Sequence, residues 1–275
     1  MTLALRPYQE TSTQKVLAAY QRQPRGGKAL LVLPTGGGKT LVFTEVARRL
    51  GLNTLVIAHR QELLQQAADK FRLVDPLAAI GQVGAGRHEY GYPITVASVQ
   101  TISRPEHLNT LPQFGYGLVI VDECHHAPAA GYQAVLKALP HAFVLGVTAT
   151  PDRLDQQRIE AIFGEPVFTA TILNLVEQGY LCDLRAIAVH NTGASLDGLH
   201  TQAGDFKTEE LEEVVDTSER NERTVSAYLE HCQGRQALCF AVTVAHAEHL
   251  ADAFNRRGVR AAVVSGETAP EERRR

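Results

Sequence analysis

Residues 29–42 read Ala29-Leu30-Leu31-Val32-Leu33-Pro34-Thr35-Gly36-Gly37-Gly38-Lys39-Thr40-Leu41-Val42. The apolar run at the front has the length and composition of a buried strand, and Leu41-Val42-Phe43 opens a helical pattern. A short glycine-rich connection joins them. Three consecutive glycines let the backbone turn its N–H groups toward one point, the helix N-terminus adds a partial positive charge, and Lys39 adds a full one. That arrangement suits a phosphate chain, with Thr40 offering a hydroxyl to magnesium. The strict loop pattern GxxxxGK[ST] has glycine where this chain has Leu33, so the match is to a looser version.

A second stretch follows the same grammar. Leu118-Val119-Ile120-Val121 is a continuous apolar strand, and its carboxyl end carries Asp122 and Glu123 to the rim where parallel α/β sheets bind ligands. Asp122 is read as the metal ligand opposite Thr40, and Glu123 as the group that orients and deprotonates an attacking water. An Asp-Glu pair at a strand end is more often merely solvated; the Lys39-Thr40 loop changes that balance. The catalytic set is therefore Lys39, Asp122 and Glu123. The cofactor set is Pro34, Thr35, Gly36, Gly37, Gly38, Lys39 and Thr40, with Thr40 and Asp122 on the metal.

Outward from these stretches, apolar strand patterns near 28–33, 54–58, 78–83, 94–99, 118–122 and 143–148 alternate with helical ones near 39–50, 60–73 and 129–139. Such alternation predicts an α/β fold with a mostly parallel sheet covered on both faces. Residues 154–179 read as helical segments, and a hinge falls near 178–185.

The length of 275 residues suggests two domains. With 27 Lys+Arg against 30 Asp+Glu the net charge is -3, so contact with a polyanion must come from a local basic track. Cys124, Cys182, Cys232 and Cys239 form no CxxC pair, which suits reduced thiols in a cytoplasm. Cys124, His125 and His126 are adjacent, point in different directions and lack metal spacing, so no zinc site is expected. No apolar run approaches the ~18 residues of a membrane span and no signal peptide is evident, so a soluble, cytoplasmic protein is expected.

With Asp122-Glu123-Cys124-His125 as motif II, the chain resembles superfamily-two helicases and translocases of the DEAD/DEAH-like group, whose domains are RecA-like. Other matches fall in order. Leu5-Arg6-Pro7-Tyr8-Gln9 is similar to the upstream adenine-reading segment, which implies Arg6 and Gln9 as adenine contacts; Pro7 and Gln9 also suit a plain helix start. Ala58-His59-Arg60-Gln61-Glu62-Leu63 is similar to motif Ia and Val96-Ala97-Ser98-Val99-Gln100-Thr101 to the next nucleic-acid contact. They imply Arg60, Gln61, Ser98, Gln100 and Thr101 as the strand track, against an ordinary helix-capping role. Thr148-Ala149-Thr150-Pro151 resembles motif III, which implies that His125, Thr148 and Thr150 couple hydrolysis to strand position. The His125-His126 pair and the opening Arg-Pro-Tyr-Gln point to the type III restriction-subunit, XPB-like and RadD-like branch.

The resemblance implies an ATP-binding RecA-like domain over 1–180 and a partial second RecA-like domain over 181–275. In the latter, Ala237–Val242 is expected as a buried first strand, 244–257 as a helix, Arg260–Val264 as a strand and Ser265-Gly266-Glu267-Thr268 as its loop. Arg273-Arg274-Arg275 is expected to begin a solvated helix. No QxxGRxxR-like segment supplies an arginine finger, worth roughly 10³–10⁵ in turnover, so these residues are expected to be the front part of a longer helicase, weakly active or inactive alone. The implied function is a nucleic-acid-dependent ATPase using ATP and magnesium, with DNA favoured over RNA. A P-loop ATPase that does not touch nucleic acid, and a catalytically impaired nucleic-acid-binding fragment, stay open as alternatives.

Overall fold

The computed structural model describes residues 4–58, 61–149, 153–189, 198–202, 205–269 and 272–274. The chain forms two compact units, Met1–Asp183 and Leu184–Arg275.

The first unit is built on eight strands: β1 (Lys28–Val32), β2 (Thr54–Ala58), β3 (Ile80–Gly84), β4 (Arg87–His88), β5 (Ile94–Ser98), β6 (Leu118–Asp122), β7 (Phe143–Thr148) and β8 (Pro166–Thr169). They form one sheet in the order β4-β3-β5-β2-β6-β7-β1-β8. Every neighbouring pair is parallel except the β3–β4 hairpin. Its helices are α1 (Pro7–Arg22), α2 (Lys39–Leu50), α3 (Gln61–Val74), α4 (Val99–Ile102), α5 (Pro105–Leu108), α6 (Ala130–Ala138), α7 (Arg153–Phe163) and α8 (Ile172–Glu177).

Side chains two apart on a strand share a face, and the buried residues divide accordingly. Ala29, Leu31, Ile120, Leu145 and Val147 pack with Val16 of α1, Phe43 of α2 and Phe71 of α3. Leu30, Val32, Val119, Val121 and Val144 pack with Ile102 of α4, Tyr132 of α6 and Phe163 of α7. Apolar on both sides, the central strands read as unbroken hydrophobic runs, and each buried Leu, Val or Phe contributes about 1.5–3 kcal/mol. Gly146 is a close-approach position, because a Cβ there would lie 2.9 Å from the Phe163 ring.

The six expected strands fall within two residues of their predicted bounds. Residues 154–179 differ from expectation: between helices α7 and α8 the chain inserts β8, which pairs parallel with β1. Pro166 lacks an N–H donor and so suits the first residue of this edge strand. With only Val167 and Phe168 as apolar members, the segment is too short to display a period of two.

The second unit contains a two-stranded antiparallel pair, β9 (Thr201–Gln202) and β10 (Asp205–Phe206), and helices α9 (Thr208–Val215), α10 (Ser218–His231) and α11 (Val244–Arg256). A small core of Val225, Leu250, Ala253 and Phe254 joins α10 to α11. Helix α11 lies where the sequence places it. The strands expected at 237–242 and 260–264 do not form, and Leu238, Phe240 and Val264 are 86%, 95% and 65% exposed. An apolar run becomes a strand only when neighbouring chain supplies ladder partners, and neither run has one among the described residues. Ser265–Thr268 closes as a turn, and Glu272–Arg274 form a short 3-10 helical turn, exposed at Glu272 and Arg273, from which Arg273 donates to the carbonyls of Ser265, Gly266 and Thr268.

Candidate nucleotide-binding site

Sheet register aligns the motif-bearing strand ends. Val32 pairs with Thr148, and Asp122 with Val147, so the loops after β1, β6 and β7 leave the sheet at one level with β7 in the middle. Lys39 and Glu123 meet across that gap, Nζ to Oε1 at 3.0 Å. The glycine loop and the acidic pair thus share one site.

The loop begins where the Leu33 N–H donates to the Thr148 carbonyl at 3.0 Å, and it turns through Gly37 N–H to the Pro34 carbonyl at 2.9 Å. Gly36 and Gly38 have φ of 81° and 79°, which a side chain would strain. A Cβ on Gly37 would sit 2.9 Å from the Pro34 oxygen, and one on Gly38 would sit 2.5 Å from Gln9 Nε2. Lys39 and Thr40 open α2 directly behind this cradle.

Helix α1 braces the loop from outside. Tyr8 Oη donates to the Gly37 carbonyl at 2.9 Å, and Gln9 Nε2 donates to the same oxygen at 3.2 Å and to Tyr8 Oη at 3.3 Å. Gln9 Oε1 accepts from the Arg6 N–H at 2.9 Å. Arg6 donates to the Tyr180 carbonyl at 3.0 Å and lies 5.4 Å above its ring, while Tyr8 and Tyr180 are 4.9 Å apart. Arg49 of α2 holds Glu10 of α1 through two hydrogen bonds of 2.7 and 2.6 Å, which lowers the Glu10 pKa to about 2. Tyr8 and Tyr180 are site residues that the motifs do not single out. Tyr8 lies within the quoted Arg6–Gln9 segment, whereas Tyr180 carries no signal in sequence.

On the acidic side, Asp122 Oδ1 accepts from the Glu123 N–H at 3.0 Å. Burial and then the negative charge of Glu123 push the Asp122 pKa above its ordinary value, with Lys39 opposing. A carboxylate held in that environment gains from a cation beside it. Glu123 has φ of 49°, left-handed backbone that costs a non-glycine residue about 1–2 kcal/mol. Its Oε2 lies 3.5 Å from His125 Nδ1, and that nitrogen is 3.3 Å from Thr148 Oγ1. One chain of polar contacts therefore runs from Lys39 through Glu123 and His125 to Thr148. The His126 ring lies against that of His125, tilted by 48° with centroids 4.1 Å apart, and burial raises the pKa of the neighbouring Cys124 thiol.

In the strand track, buried Ser98 is 2.6 Å from Gln100 Oε1, Gln100 is exposed and Thr101 is half-buried. Arg60 and Thr150 lie outside the described residues, as does the side chain of Gln61, the first residue of α3.

Residues 2–153 match the family described as type III restriction enzyme, res subunit. The chain belongs to this family. The similar proteins include IRC3 of Saccharomyces cerevisiae, 27% identical over 98% of this chain and 41% of its own length. The DNA 3'-5' translocase XPB2 of Sulfurisphaera tokodaii is 31% identical over 56% of this chain and 32% of its own. Among solved structures, a Vibrio vulnificus fragment assigned to the HsdR subunit of a type I restriction enzyme aligns with a TM-score of 0.60. It is 19% identical and covers 91% of this chain and 45% of that one, a likeness of fold. This res-subunit family member spans less than half the length of the first curated relatives it matches, 41% and 46%. Among its described residues no helix is long and apolar enough to cross a membrane.

Proposed function

We propose that this chain is the ATP-hydrolysing part of a DNA translocase or helicase. The observation that carries the reading is the 3.0 Å contact between Lys39 and Glu123, which joins the loop after β1 to the loop after β6. Met1–Asp183 is the ATP-binding domain, and Leu184–Arg275 corresponds to part of the second.

Backbone N–H groups of Gly36–Lys39 receive the phosphates, and Lys39 neutralises their charge. Arg6 and Gln9 flank the adenine: both N–H groups of the Gln9 amide are engaged, but its oxygen keeps a second lone pair for the base. The glycine cradle, closed to any Cβ, and the cation-seeking Asp122 fit ATP and magnesium respectively. Magnesium needs only one or two protein oxygens beside the phosphates, here Thr40 and Asp122, and when bound it neutralises charge developing on the phosphate oxygens. Glu123 takes the proton of the attacking water. His125 steadies Glu123 and reports its position to Thr148, and with Thr150 this link couples hydrolysis to the strand track of Arg60, Gln61, Ser98, Gln100 and Thr101. Contacts there meet phosphate rather than bases, so movement is sequence-blind.

DNA as partner is supported by the similarity to the XPB2 translocase. Four free cysteines support a reducing cytoplasm. The test is ATP turnover with and without single-stranded DNA, in this chain and in a version extended to the length of its relatives. Stimulation by DNA in the extended protein is expected. Equal turnover with and without DNA in both would favour an ATPase that does not act on nucleic acid.

A further inference from the structure

We propose that the pocket at the amino end of the sheet is a docking site for an acidic peptide segment of a protein partner, with an apolar side chain seated inside and carboxylates on Arg25. It lies apart from the nucleotide site and does not depend on that reading.

The pocket has a volume of about 520 Å³, within the range that holds a ligand. Its walls come from the turn before β1, the segment before β6 and the segment before β7. The same three strands carry the nucleotide loop, the acidic pair and Thr148 at their other ends. Five residues of strand at about 3.3 Å each put roughly 16 Å between the two sites. A peptide bound here leaves the nucleotide loop open.

The frame is stitched together before any ligand arrives. The Gly26 N–H donates to the His141 carbonyl at 3.2 Å, the Gly117 N–H to the Asn53 carbonyl at 2.9 Å and the Phe143 N–H to the Gly117 carbonyl at 2.9 Å. Gly26 turns at φ of 68°, and a Cβ on it would lie 3.1 Å from the Pro140 oxygen. Walls tied in this way lose little freedom on binding. Tyr116, Leu139 and Ala142 supply buried apolar lining. Pro24, Pro112 and Pro140 form exposed sides and bring no N–H that an apolar guest would strip of water.

Charge selects the guest. Segments 20–28, 51–53, 109–117 and 138–142 carry every lining residue, and they contain no Asp or Glu. They do contain Arg22, Arg25, Lys28 and His141, all exposed, and none of the four has an ion-pair partner among the described residues. In a chain of net charge -3 this is a cationic rim of one sign around an apolar hollow. Nucleic acid would meet the cations and leave the hollow empty, since phosphate contact needs no apolar floor. An acidic segment with an aromatic or aliphatic anchor satisfies both. The competing role is plainer: Arg22 complements the dipole of α1, and Arg25 and Lys28 only keep the surface soluble.

The experiment titrates the 275-residue chain with fluorescein-labelled peptides of about ten residues, in which one Trp, Phe or Leu is flanked by glutamates or, as controls, by lysines. A glutamate peptide is expected to bind and its lysine counterpart to fail. Amide NMR shifts on titration should fall within 20–28, 115–117 and 138–142. Arg25→Glu should weaken binding about tenfold or more, and Ala138→Phe, which fills the hollow, should abolish it. An amide spectrum unchanged away from the pocket certifies the fold of each variant. Binding of no peptide, equal binding of glutamate and lysine peptides, shifts confined to other residues, or wild-type affinity in Arg25→Glu would overturn the proposal. Displacement of the peptide by oligothymidine, with the salt dependence of phosphate contact, would overturn it in favour of nucleic acid on the same rim.

Discussion

Val119–Val121 and Ala237–Val242 have nearly the same hydrophobic character, yet the first is a fully buried central strand and the second forms no strand, with Phe240 95% exposed. Strand β6 has β2 on one side, β7 on the other and helices over both faces; the 237–242 run has no ladder partner among the described residues. Hydrophobicity states a demand for burial, and only neighbouring chain satisfies it.

The largest expected effect tests whether nucleotide binding belongs to the sheeted unit. Lys39→Ala should abolish ATP binding, and Glu123→Gln should retain it while turnover falls about 10²–10⁴-fold. Calorimetric ATP affinity equal to wild type in Lys39→Ala would break the contrast, since binding would then reside away from the β1 loop. Next in size is stability. Leu145→Ala in the buried β7 should cost about 2–5 kcal/mol, whereas Phe240→Ser should stay within about 0.5 kcal/mol, read by urea denaturation. A large loss from Phe240→Ser would mean that this ring is covered in solution. Hydrogen exchange sharpens the same point: amides of 119–121 should be protected to near the global unfolding limit, while those of 237–242 exchange like open chain.

The smallest effect is on pH. Hydrogen bonds from Arg49 lower the Glu10 pKa to about 2, so its contribution in the first unit is full above 4.5 and is lost as pH falls toward 2. Glu10→Gln should remove about 0.2–1 kcal/mol at neutral pH, the range for a partly exposed pair. In the second unit, His249 Nδ1 meets Asp216 Oδ2 at 2.7 Å, and that hydrogen bond raises the His249 pKa above 6.5. Burial pushes Asp216 upward, but hydrogen bonds from His249 and Asn221 outweigh it and leave its pKa below 3.8. This pair therefore acts fully between 3.8 and 6.5 and weakens as pH rises through the His249 value. A second-unit exchange profile flat from pH 6 to 9 would remove the pair from the stability of that unit.

The parallel sheet was legible because its central strands are apolar on both faces and separated by helices of ordinary length. The Lys39–Glu123 site was legible because its residues follow two such strands directly. Tyr180 was not, since its role depends on α8 returning the chain beside Arg6, a long-range contact with no local pattern. Strand β8 was too short to show a period, and the 237–242 run misled because strand formation depends on partners that residue type does not report.

The Gly37 oxygen, held by both Tyr8 and Gln9, carries one more implication. A peptide plane whose carbonyl swung toward an incoming phosphate would repel it, and the two donors on α1 tether that plane in advance. If this loop holds ATP as proposed, anion recognition needs no peptide flip on arrival, and loosening the tether should slow capture of ATP before it alters any group that touches the triphosphate.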